Sequence, residues 1–367
     1  MLQCSTRPGR RGAVIASKTK SRLNLALQGG GAHGAFTWGV LDRLLTSDRF
    51  RFDTVSATSA GAINAVAMLD GLIDGGPEAA RAKLRQVWSA IVEAAPPDLA
   101  KLNPLLASLG KMEAFGAPSM NQLAGLVSPY TFNPFDFNPL REMLEQLIDF
   151  EAIVKHSKID ILIAATDAST GRARLFRRAE LTVDVVLASA CLPMLYKAVK
   201  IGDTSYWDGG FSANPDLVTL AREARARDTL LVLLNPTSRD QVPTQTVDIL
   251  SQINRITFSQ PLLRDVREIL SIREAMHGPQ SMLVSREKKR VAHHRFHLIE
   301  AGAYVATLPE ATKLRADKVI TERLFQAGAR EADGWIARHA RDVGHRESVD
   351  LAMRLLPESS LAVAKEG

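Results

Sequence analysis

The chain has 367 residues, 46% of them apolar, two cysteines and a formal net charge of +6. That length suits one large domain or two of ordinary size with a sizeable core. Cys4 and Cys191 make no disulfide framework and read as reduced thiols. No window approaches the roughly 18 uninterrupted apolar residues that a membrane span needs, so no transmembrane segment is expected.

The first 22 residues carry Arg7, Arg10, Arg11, Lys18, Lys20 and Arg22 and no acidic residue, so this stretch alone matches the charge of the whole chain. Its only apolar run, "AVIAS", is too short for a signal peptide. Residues 1–21 read as a disordered, solvated arm. Peripheral contact with an anionic membrane surface through residues 7–22 is the alternative use of that charge. A cytoplasmic protein without a nucleic-acid partner is the expectation.

From Arg22 the pattern is strand, glycine turn, helix: "LNLALQ", "GGGAHG", then "AFTWGVLDRLL", with Phe36, Val40, Leu41, Leu44 and Leu45 on one helical face. A second unit follows, in which "FDTVSAT" leads through Ser59 into "AGAINAVAMLDGL". Two such units in succession predict an α/β fold with a mostly parallel sheet and helices on its faces.

Between about Ala94 and Pro139 the pattern is interrupted by prolines and apolar residues: Met112, Phe115, Met120, Leu123, Leu126, Tyr130, Phe132, Phe135 and Phe137. This insert either forms a lid or lipid-facing surface, or packs onto the sheet. Further strands are predicted at "IDILIAAT", "ARLFRR", around "SYWDGG" and at "TLLVLLN". Helices are predicted at "TVDVVLASA" and "NPDLVTLAREARAR". From Thr244 to about Asp350 the chain reads as mainly helical, with a strand at "RFHLIE" and a helix around "ADGWIARHARDVG" ending at Gly344. The expected organisation is an arm (1–21), a catalytic domain (22–235, with the insert at about 94–139), a helical C-terminal part packed on it (236–356) and a tail (357–367).

Gly29, Gly31 and Gly34 satisfy a G-x-G-x-x-G pattern, but the strand that follows ends in Ser59, not in the acidic residue that a dinucleotide site requires. No Lys-Ser/Thr pair follows the glycines, which excludes a P-loop. The other use of bare amides before a helix is to receive an oxyanion. That use requires a nucleophile, and Ser59 in "ATSAG" occupies a sharp strand-to-helix turn between small neighbours, including Gly61. The alternative for such a serine is an N-cap. The usual elbow begins with Gly, and here Ala57 takes that place. Asp208 in "YWDGGFSANP", followed by Gly209 and Gly210, sets a carboxylate at a sheet edge, and the alternative there is an ordinary D-G turn. No histidine among the eight stands in a comparable setting. "HHRFH" reads as a polar-edged strand or turn, not as a base or a zinc site.

"QGGGAHGAF", "ATSAG", "ASACLPMLY" and "DGG", in this order, resemble the patatin-like phospholipase family over about Leu23 to Asn235. The resemblance implies a three-layer patatin-like fold and a Ser-Asp dyad, with Ser59 as nucleophile and Asp208 as base. It also implies an oxyanion hole from the backbone of Gly29, Gly30 and Gly31, with no metal or organic cofactor. The family commonly has Arg or Lys where this chain has His33, so any cationic help from the loop is expected to depend on pH. The implied activity is hydrolysis of fatty acyl esters of phospholipids or other lipids. A polyester or thioester hydrolase and a catalytically silent lipid-binding protein are the alternatives.

Overall fold

Alternation along β1 (Ser21–Leu27) divides the molecule into layers. Leu23, Leu25 and Leu27 enter one buried cluster, while Ala26, pointing the other way, enters a second. The same alternation recurs on β7 (Asp228–Leu233), where Leu230 and Val232 face the first core and Leu231 and Leu233 the second. A strand that must be apolar on both sides belongs in the middle of a sheet covered by helices. The computed structural model describes residues 20–94, 128–235, 242–244, 246–277, 284–306, 308, 312–313 and 316–356. The basic arm before Lys20, most of the Pro/Phe-rich insert (Met112, Phe115, Met120, Leu123 and Leu126 included) and the tail lie outside the described residues.

The other strands are β2 (Phe50–Thr58), β3 (Asp160–Asp167), β4 (Ala173–Arg177), β5 (Val199–Ile201), β6 (Thr204–Asp208) and β8 (Arg295–Glu300). They form one sheet in the order β5-β6-β3-β2-β1-β7-β8, with β4 also paired to β3. The pairs β3-β2, β2-β1, β1-β7 and β7-β8 are parallel, whereas β4 and β6 run antiparallel to β3, and β5 to β6. Helices α1 (Gly34–Thr46), α2 (Ala60–Gly75) and α3 (Pro77–Ala94), together with the helix Lys318–His339, cover the first face. The helices Val218–Glu223, Thr246–Ala275 and Arg286–Ala292 cover the second. The expected three-layer α/β architecture is present. No helix among the described residues is long and apolar enough to cross a membrane.

The structure differs from the sequence expectations in detail. The short strand β5 has too few residues to show a period. The last long helix stops at His339 rather than Gly344; a turn follows it, in which Gly344 takes a φ of 89° and donates its N–H to Asp228 Oδ1 at 3.0 Å. The strand expected at "RFHLIE" is β8, the edge strand of the sheet, in register with β7 along its whole length. Within the described end of the insert, Tyr130, Phe135 and Phe137 are exposed.

Candidate active site

β1 and β2 are parallel neighbours with Leu27 opposite Ala57, so the loops leaving their carboxyl ends lie side by side. This edge of a parallel sheet is where loop residues converge. Beyond Leu27, Gly29, Gly30 and Gly31 lead into a single 3-10 turn, Gly31–His33, and then into α1. None of the three glycines has room for a side chain. A Cβ on Gly29 would lie 2.8 Å from the Ser59 Cβ, one on Gly30 2.9 Å from Leu234, and one on Gly31, whose φ is 57°, 2.2 Å from the Lys313 carbonyl oxygen. Gly29 is held through both of its backbone groups: its N–H donates to Asn214 Oδ1 at 2.8 Å, and its carbonyl accepts from Asn235 Nδ2 at 3.2 Å. Among the described residues the N–H groups of Gly30 and Gly31 have no acceptor.

β2 ends at Thr58 and α2 begins at Ala60, leaving Ser59 alone in the turn with φ 54° and ψ −123°. Such a conformation costs a non-glycine residue on the order of 1–3 kcal/mol. Surrounding bonds hold it there. The Ser59 N–H donates to Ser189 Oγ at 2.9 Å, and its carbonyl accepts the Ala62 N–H at 2.8 Å. The Ser59 side chain makes no capping bond to α2, so the N-cap alternative does not describe it. Gly61 is required because a Cβ would lie 2.3 Å from the Leu27 carbonyl oxygen. Ala57 needs no such allowance, since its methyl is fully buried in the first core.

Asp208 arrives from the other side of the sheet. Thr58 is opposite Ala164 on β3, and Ala165, the next residue, is opposite Asp208 on β6, so one row across three strands carries the carboxylate toward the Ser59 turn. The Asp208 N–H donates to the Cys191 carbonyl at 2.8 Å, and its own carbonyl accepts from Thr166 Oγ1 at 2.8 Å. Oδ1 accepts the Gly210 N–H at 2.7 Å, as in an ordinary D-G turn, but Oδ2 is buried without a bonded partner. Burial pushes the carboxyl up from 3.8 to about 7, against the Gly210 N–H and the Ser59 hydroxyl, which both favour the charged form. The Ser59 hydroxyl is thus near enough to act on the carboxylate without closing a full bond to Oδ2. Such bonds are commonly long in an empty site and tighten when substrate binds. Gly209 and Gly210 permit the turn: a Cβ on the first would meet the Ala164 carbonyl oxygen at 2.1 Å, and on the second the Phe258 ring at 2.3 Å. Gly34 likewise faces the Ala60 Cβ and Trp88.

His33 is buried, and its Nε2 lies 2.7 Å from Thr312 Oγ1. Burial, with help from the nearby Lys313 charge, pushes its pKa from 6.5 down to about 3. The ring is therefore neutral at ordinary pH, which corrects the expectation of a pH-dependent cation in the loop. The "HHRFH" histidines serve structure. His294 bonds Thr229, and His297 sits between Asp228 and Ser348. Among the described residues no cluster of His, Cys, Asp and Glu could hold a metal ion.

The structure brings Ser59, Asp208 and the glycine loop together. It adds Ser189, Asn214 and Gln28, which sequence reasoning did not single out. Gln28 Oε1 accepts the N–H groups of Leu234 and Asn235 at 2.8 and 2.9 Å, tying the loop to the end of β7. All three lay within quoted runs, Gln28 in "QGGGAHGAF", Ser189 in "ASACLPMLY" and Asn214 in "YWDGGFSANP", but nothing in those runs marked what their side chains bond.

No curated protein matches the chain. Among solved structures, VipD from Legionella pneumophila is similar at 14% identity, covering 87% of this chain and 67% of its own, with a TM-score of 0.41. A chain of the full-length SpcU–ExoU complex from the type III secretion system of Pseudomonas aeruginosa is similar at 13% identity, covering 95% of this chain and 84% of its own, with a TM-score of 0.27. A family model described as patatin-like phospholipase matches residues 25–221, a span that runs from β1 through the Ser59 turn to beyond Asp208. With more than half of its length matched, the chain belongs to the patatin-like phospholipase family, a family of lipid acyl hydrolases.

Proposed function

We propose that this protein is a serine hydrolase that cleaves fatty acyl esters of phospholipids or other lipids through a Ser59-Asp208 dyad. The observation that carries the reading is a buried carboxyl with its pKa raised to about 7 beside a serine hydroxyl held at a strained, uncapped turn. A general base poised near the working pH, with one oxygen unbonded, is what an otherwise unreactive hydroxyl needs.

In this reading Ser59 Oγ attacks the ester carbonyl carbon while its proton passes to Asp208 Oδ2. The carbonyl oxygen becomes an oxyanion. Because the Gly29 N–H already serves Asn214, the donors that receive it are the N–H groups of Gly30 and Gly31. The favourable ends of the α1 and α2 dipoles add to them. Collapse of the tetrahedral intermediate breaks the bond to the alcohol, which leaves with the proton from Asp208, and an acyl-Ser59 ester remains. Water then attacks that ester, with Asp208 again taking the proton, and free acid and enzyme are restored. The exposed Tyr130, Phe135 and Phe137 supply apolar surface for an acyl substrate. In the same reading residues 22–235 form the catalytic domain, and 236–356 complete it rather than stand apart.

The test is a panel of p-nitrophenyl esters of increasing chain length with defined phospholipid vesicles, using Ser59→Ala as blank, together with fluorophosphonate labelling. Chain-length-dependent hydrolysis and labelling at Ser59 alone are expected. Labelling at another serine, or hydrolysis by Ser59→Ala, would overturn the assignment.

A further inference from the structure

The Asn214 side chain is fully buried and bonded at both ends to different parts of the molecule. Its Oδ1 accepts the Gly29 N–H at 2.8 Å, its Nδ2 donates to the Phe258 carbonyl at 3.0 Å, and its backbone carbonyl accepts weakly from Gln28 Nε2 at 3.5 Å. Three elements meet there: the glycine loop after β1, the segment that follows Asp208, and the long helix Thr246–Ala275. Phe258 on that helix also packs against Gly210 and Phe211, the residues that shape the Asp208 turn.

We infer that Asn214 is a positioning residue for the oxyanion hole: by holding the Gly29 N–H it fixes the direction in which the next two peptide groups point. The argument is geometric. Asn214 holds the peptide unit that ends in the Gly29 N–H and Asn235 holds the next unit, through the Gly29 carbonyl, so Gly29 cannot turn about its own φ and ψ. That second unit carries the Gly30 N–H, and its direction is set relative to the unit that Asn214 fixes. Glycine has wide backbone freedom, so three in succession would otherwise leave the amides unaimed. Oxyanion donors act through being fixed before the charge develops, so loss of aim is read in the transition state and not in substrate binding. The same side chain ties the loop to the segment carrying the base, so donor and base are set relative to one another. This rests on the hydrolase reading above.

The experiment compares wild type, Asn214→Ala and Asn214→Asp on a p-nitrophenyl ester, counting active sites by fluorophosphonate titration. A trifluoromethyl ketone serves as an inhibitor whose adduct carries an oxyanion. For Asn214→Ala, kcat per titrated site falls at least ~10-fold with KM within about twofold, and the ketone Ki rises in parallel with the loss in kcat. Asn214→Asp keeps the oxygen acceptor for Gly29 and is expected to hold the ketone within about tenfold of wild type. A merely structural role lowers the number of titratable sites and leaves kcat per site and Ki unchanged; that result overturns the inference. If Asn214→Ala does not fold, a folded Asn214→Asp that loses the ketone more than ~100-fold overturns it instead. Wild type that fluorophosphonate does not label at Ser59 overturns the hydrolase reading and this inference with it. A labelled wild type with an unaffected Asn214→Ala overturns this inference alone.

Discussion

The Asp208 carboxyl and the Ser59 hydroxyl meet at the edge of three hydrogen-bonded strands, and the hydroxyl is one of two groups that hold the buried carboxyl below the value burial alone would impose. That relationship sets the pH dependence of the proposed reaction. Asp208 acts as a base only when ionised, so kcat/KM is expected to fall as pH drops through about 7, with a single acidic limb. His33 titrates far below that range, so His33→Gln is expected to leave the limb in place. Profiles of both proteins on one ester check this, and a limb displaced by His33→Gln contradicts it.

Asp208 also costs stability. Its folded pKa lies above the ordinary 3.8, so the stability of the neutral group is fully present below about 3.8 and is lost as pH rises through about 7. Asp208→Asn is therefore expected to be inactive yet more stable than wild type at about pH 8, by on the order of 1–3 kcal/mol, with the difference shrinking toward pH 4. Urea unfolding at the two pH values measures it. Equal stability at about pH 8 would refute the buried-charge account.

Ser59 separates strain from chemistry. Alanine keeps the same backbone cost at φ 54°, whereas glycine relieves it. Ser59→Ala is expected to unfold near the wild-type temperature, and Ser59→Gly to gain about 1 kcal/mol or more, with both inactive. Calorimetry of the pair decides. No gain in Ser59→Gly means that the turn carries little strain.

Gly209→Ala drives a methyl to within 2.1 Å of a strand carbonyl, where only backbone movement can relieve it. A loss of about 2–4 kcal/mol is expected, together with loss of activity as the Asp208 turn shifts. Gly202→Ala is the contrasting case. Its Cβ meets nothing within 4 Å, so only the cost of its φ of 60° remains, about 1 kcal/mol. Chemical denaturation of the two variants tests the ranking.

Cutting the chain after Asn235 removes β8 and the helix Lys318–His339. That helix lies so close to α1 that a Cβ on Gly39 would fall 2.0 Å from the Phe325 carbonyl oxygen, and one on Gly328 2.0 Å from that of Phe36. The truncated protein would expose the β7 edge and the apolar face of α1, and is expected to aggregate or fail to label. A soluble, labelled fragment 20–235 would show that the C-terminal part is an independent unit.

The strand-to-helix turn at Ser59, the glycine loop, the D-G turn and the α/β class were legible because each is a local pattern: an apolar run, small residues where the chain must bend, then helical spacing. The three-layer arrangement was expected only from the family resemblance. The necessity of each glycine could be suspected locally, but its reason lies elsewhere, in the Leu27, Ala164 and Lys313 carbonyls that leave no room for a Cβ. What tertiary structure alone decided is how these pieces are held. Strand register brings Asp208 to Ser59. Burial sets the carboxyl near 7 and keeps His33 neutral, and Asn214 takes the Gly29 N–H. Hydrogen bonds between residues far apart in the chain, and the loss of water around them, leave no trace in spacing or composition, because both arise only once the sheet has closed its two cores.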